Sequence, residues 1–92
     1  MKAEHHNQLH GQPLAVQVMD LVRTWPDKAV ECTLWTVVKH LAERYQLNAT
    51  ARGKLYHRVN TQVRTLEAAG MLVTEKKWIA SKQVFTKLLR TC

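Results

Sequence analysis

Acidic side chains are scarce in this 92-residue chain, where seven Asp and Glu stand against fourteen Lys and Arg for a formal charge of +7. The shortage is local. No acid occurs from Arg44 to Leu66, and of the seven only Glu67 and Glu75 lie beyond Glu43. Segregated positive charge favours an anionic partner for the C-terminal half. Cysteine is also rare. Cys32 and Cys92 have no metal-ligand spacing, Cys32 reads as a small core hydrophobe, and a disulfide between them is not expected in a reducing compartment. No apolar run is long enough to cross a bilayer, and no basic-then-apolar leader opens the chain, so a cytoplasmic location is expected. A nucleophile elbow, a Gly-rich phosphate loop and paired carboxylates are all missing, and His40 and His57 have no obvious partner set. Neither an enzymatic activity nor a cofactor is expected.

Met1 to Gln12 is polar, contains His5, His6 and His10, and lacks apolar periodicity, which predicts a disordered tail. No carboxylate or cysteine pattern completes a metal site there. Residues 13–92 then form a single domain. Pro13 suits the first turn of a helix whose apolar stripe is Leu14, Val18, Leu21, Val22 and Trp25, stopped by Pro26. Ala29 to Cys32 is expected as a short strand. Thr33 is the predicted N-cap of a second helix, with Leu34, Val37, Val38, Leu41 and Tyr45 on one face. That helix should end near Tyr45, and Gln46–Ala49 is the right length for a turn between crossing helices, with Asn48 or Thr50 capping the next one.

A third helix is predicted from about Ala51 to Ala69. Leu55, Val59, Val63 and Leu66 form its buried stripe. At about 100° per residue the opposite face carries Lys54, His57, Asn60, Thr61 and Arg64, with Arg58 on the flank. Gly53 weakens the first turn, and Gly70 supplies a left-handed end. Beyond it the pattern allows two readings. The preferred one is a hairpin, with a first strand from Met71 to about Trp78, a tip at Ile79–Ser81 and a return strand from Lys82 to Leu89. The other is a short helix over 81–90, capped by Ser81, with Val84, Phe85, Leu88 and Leu89 on one face. Trp78 and Ile79 are expected to fold back on the core, and Trp25 to be a core or dimer contact.

The fold class is therefore α+β: helix, short strand, helix, tight turn, helix, hairpin. The segment Val59-x-x-x-Val63-x-x-Leu66-Glu67-x-x-Gly70-Met71-Leu72-Val73 resembles the recognition helix and first wing strand of winged helix-turn-helix regulators of the MarR and PadR type. Those families carry extra helices for dimerisation and effector binding, for which this chain has no room. Small stand-alone winged helices, as in phage or plasmid regulators, are the nearer comparison.

The resemblance implies sequence-selective binding of double-stranded DNA in transcriptional control, by a homodimer, with the third helix in the major groove. Arg64 would pair with guanine and Asn60 with adenine. Arg52, Lys54, His57, Arg58 and Thr61 would add phosphate or short-range contacts. Thr33, Trp35 and Thr36 would meet the DNA backbone, while Lys76, Lys77 and Lys82 would flank the wing tip. A second class of function is a protein-interaction module, such as a phage-type inhibitor occupying a partner's acidic or nucleic-acid-binding site, anchored by Trp78, Ile79, Val84 and Phe85. RNA recognition has less support, because the aromatic motifs of RNA-binding sheets are missing.

Overall fold

Side chains at Thr33 and Asn48 meet the first orphaned amides of two helices and set where they begin. In the computed structural model, which describes residues 8, 9 and 12–91, the elements are β1 (Gln8–Leu9), β2 (Gln12–Pro13), α1 (Leu14–Arg23), α2 (Leu34–Arg44), α3 (Ala49–Ala68), β3 (Leu72–Ile79) and β4 (Val84–Thr91). The architecture is α+β, three helices followed by a two-stranded antiparallel hairpin, and is compatible with a winged-helix layout. β1 and β2 form a second, very short antiparallel pair. Otherwise the tail and its His5, His6 and His10 lie outside the described residues, as does Cys92.

The Thr33 hydroxyl accepts from the Thr36 amide, and the Thr36 hydroxyl accepts from the Thr33 amide, a reciprocal capping box. The Asn48 side chain accepts from the Ala51 amide, so α3 starts two residues before the predicted Ala51. Both α2 and α3 end by the same device. A left-handed residue, Gln46 (φ 54°) or Gly70 (φ 77°), is followed by a 6→1 hydrogen bond, from Leu47 to Ala42 or from Met71 to Leu66.

The buried stripes meet in one aliphatic core. Leu14, Val18, Leu21 and Val22 of α1 pack with Leu34, Val37, Val38 and Leu41 of α2 and with Leu55, Val59, Val63 and Leu66 of α3. Leu72 and Leu89 close it from the hairpin. Gln17 is buried within this core and accepts a 2.8 Å hydrogen bond from the Tyr45 hydroxyl. Trp25 is half-buried and satisfied within the chain. Its indole donates to the Val30 carbonyl at 2.9 Å, and its ring meets His40 edge-on.

Three local expectations change. Residues 81–90 form no helix, because Val84–Thr91 pairs with Leu72–Ile79 along its whole length. The hairpin tip also moves. Ile79 pairs with Val84, so the loop is residues 80–83, and Gln83 takes the left-handed conformation (φ 53°) that no glycine or asparagine marks in the sequence. Ala29–Cys32 is not a strand. An Asp27 side-chain turn and the Trp25–Val30 bond fold it back, leaving one bridge between Thr33 and Leu88 and a 2.9 Å bond from the Leu89 amide to the Cys32 carbonyl.

Candidate nucleic-acid interface

Twenty residues of helix with one side anchored in the core must turn the other side outward. Lys54, His57, Thr61 and Arg64 are all exposed on that side of α3, and Arg58 is half-buried at its flank. The only ion pairs among the described residues are Arg23–Asp20 and Lys77–Glu31, so none of the α3 cations is neutralised by a carboxylate. The Thr61 hydroxyl donates to the His57 carbonyl at 3.0 Å and keeps its lone pairs outward.

The hairpin lies along the adjacent side of α3. The Thr74 hydroxyl donates to the Glu67 carboxylate near the helix C-terminus, and Lys87 Nζ donates to Asn60 Oδ1 at 3.4 Å further back. Asn60 is accordingly half-buried and turned toward the hairpin. It does not share the outward face with Arg64. Register places Lys76 directly opposite Lys87 and Trp78 opposite Phe85, all on the hairpin face that carries buried Leu72 and Leu89.

Other expected site residues separate from this group. Lys77 is on the opposite hairpin face, ion-paired with Glu31. Thr33 is buried, and the Thr36 hydroxyl donates to backbone oxygens of Glu31 or Thr33. Both serve the α2 cap and leave no hydroxyl proton for a phosphate.

Arg52 and Trp35 border a groove with Gly53, Tyr56 and His57. Lys82, in the hairpin loop, stands 5.2 Å from the centre of the Trp35 ring. Trp78 does not fold back: Trp35, Trp78 and Phe85 are 39%, 50% and 62% exposed.

Lys87 and Tyr56 were not legible as site residues. Lys87 emerges only from the true strand register. Tyr56 could have been found from its helical angle, which lies between the buried stripe and the outward face. Burial pushes the Cys32 thiol up from 9.0 to about 11. Among the described residues there is no cluster of His, Cys, Asp or Glu placed to hold a metal, and no helix long and apolar enough to cross a membrane. No known family, curated protein or solved structure matches the chain.

Proposed function

We propose that this chain is a small winged helix that binds double-stranded DNA sequence-selectively, in transcriptional control, with α3 in the major groove. One observation carries the reading. The outward face of α3 presents Lys54, His57, Thr61 and Arg64 without a single ion pair among the described residues, while its inner face is locked into the core. An α-helix fits the width of the major groove, and the Arg64 guanidinium matches the O6 and N7 edge of guanine. Thr61 lies one turn and His57 two turns from Arg64 on the same face. Arg52, Lys54 and Arg58 serve the phosphates, joined from the hairpin by Lys76, Lys82 and Lys87. Asn60 acts through Lys87, as a positioning residue.

A second copy completes the proposal. Exposed Val16 and Met71 adjoin Met19 and Leu66 where α1 meets the end of α3, and they form the apolar patch through which a dimer would close. Sedimentation of the wild type and Val16→Glu tests it: a dimer that the substitution dissociates supports this contact, and a wild-type monomer at micromolar concentration removes it. The DNA reading is tested by measuring Arg64→Ala against duplexes differing at single base pairs. Loss of discrimination at one position supports it, and an unchanged ranking of all duplexes overturns it.

The interaction-module reading is favoured by the exposure of Trp78, Val84 and Phe85. Recovery of one stoichiometric protein after nuclease treatment, with no affinity for duplex DNA, would select it.

A further inference from the structure

We infer that a track of rings beside α3 binds an unpaired strand of nucleic acid, DNA or RNA, with bases stacked on Trp35, Tyr56 and Phe85 and phosphates held by Arg52, Lys76 and Lys82. The rings of the track lie outside the outward face of α3, which the track adjoins at His57. Trp35 and Tyr56 stand side by side, ring centres 6.1 Å apart, and form the common wall of two open grooves. The larger, of about 550 Å³, is bounded by Arg52, Gly53 and His57. The smaller, of about 200 Å³, is bounded by Ile79, Lys82, Val84 and Phe85. Phe85 in turn meets Trp78 at 4.9 Å.

Four features point to this class of ligand. The core is filled by aliphatic side chains, so packing does not require the exposed Trp35, Trp78 and Phe85. Ammonium groups sit among the rings: Lys82 lies 5.2 Å from the Trp35 ring centre and Lys76 lies 5.7 Å from that of Phe85. Among the described residues no carboxylate borders either groove. Lys76 and Lys87 oppose each other across the strands, where like charges repel until an anion lies between them.

Gly53 adds to this. A Cβ there would meet nothing within 4 Å, and its φ is not left-handed, so no contact among the described residues requires glycine. The bare backbone keeps the larger groove open. Alternating rings and cations suit a single strand, in which every base offers a π-face and every linkage a charge. A duplex keeps its bases stacked inside and makes no use of such rings. Protein interfaces concentrate charge at the rim and deplete lysine at the centre, whereas lysines lie over these rings.

The test is titration of the full chain with dT12 and rU12, read by labelled-oligonucleotide anisotropy and by tryptophan emission. Quenching by either strand is expected, with none from a base-free polyphosphate. Phe85→Ala is expected to weaken binding of the single strand about tenfold while leaving duplex affinity within twofold, since Phe85 is exposed and its loss leaves the core intact. Arg64→Ala should show the reverse. A preference for dT12 or rU12 names the source of the strand and supports the site either way. Unchanged emission, equal quenching by polyphosphate, or wild-type affinity of Phe85→Ala for both strands overturns it, as does a protein or second copy that occupies the rings while neither strand quenches. Loss of duplex binding alone would end the α3 reading and leave this site standing.

Discussion

In the proposed DNA complex, Arg64 is the side chain on which base discrimination would turn. It is exposed on the outward face of α3 and, among the described residues, pairs with no carboxylate. Arg64→Ala is expected to remove about 1–3 kcal/mol of discrimination at one base pair. Lys76→Ala should instead weaken all duplexes evenly, as loss of a phosphate contact does. Asn60 differs, because its amide oxygen is held by Lys87 on a neighbouring strand, a contact that helical angle alone does not reveal. Cys32 gives a separate check. With its thiol pushed up to about 11 from 9.0 by burial, alkylation by iodoacetamide at pH 8 should run about a hundredfold slower than for a solvated thiol. The Cys92→Ser variant isolates Cys32 in this assay. Because the folded value lies above the unfolded one, the stability linked to this thiol is complete below pH 9.0 and is lost as pH rises through about 11.

At the scale of elements, caps and turns decide the boundaries. Thr33→Ala removes the hydroxyl that accepts from the Thr36 amide, leaving the residue-33 amide still bonded to the Thr36 hydroxyl, and is expected to lower stability by about 1 kcal/mol in urea unfolding. Gly53→Ala should act oppositely, raising it by about 0.5–1 kcal/mol, because the methyl meets open space in an ordinary helix turn. The three helices were legible because each has an apolar stripe at the right spacing and because Thr33, Asn48 and Gly70 are residue types whose chemistry starts or ends a helix. The end of α2 and the hairpin loop hide their left-handed residues at Gln46 and Gln83, where glycine would have signalled them. Hence the hairpin was legible but its register was not. The register error concealed the Lys76–Lys87 pair, and with it the positive charge along the strand side of α3.

For the whole molecule, the segregation of charge visible in the sequence becomes a spatial arrangement. The acid-free segment supplies the outward face of α3, and Lys76, Lys82 and Lys87 add cations along the hairpin beside it. The cationic face of α3 was legible because 3.6-residue periodicity separates buried from exposed positions without reference to the rest of the fold. The ring track was not, since it joins Trp35, Tyr56 and Phe85 from three elements that only tertiary packing brings together. If these cations neutralise phosphates, duplex affinity should fall with salt, at about 0.9 log units per phosphate contact for each tenfold rise in concentration.

The most direct measurement is selection of bound sequences from a random duplex library by wild type and Arg64→Ala. A consensus recovered by the wild type and lost at one base pair in the variant is the expected result. A wild-type pool indistinguishable from the input would contradict the placement of α3 in the major groove.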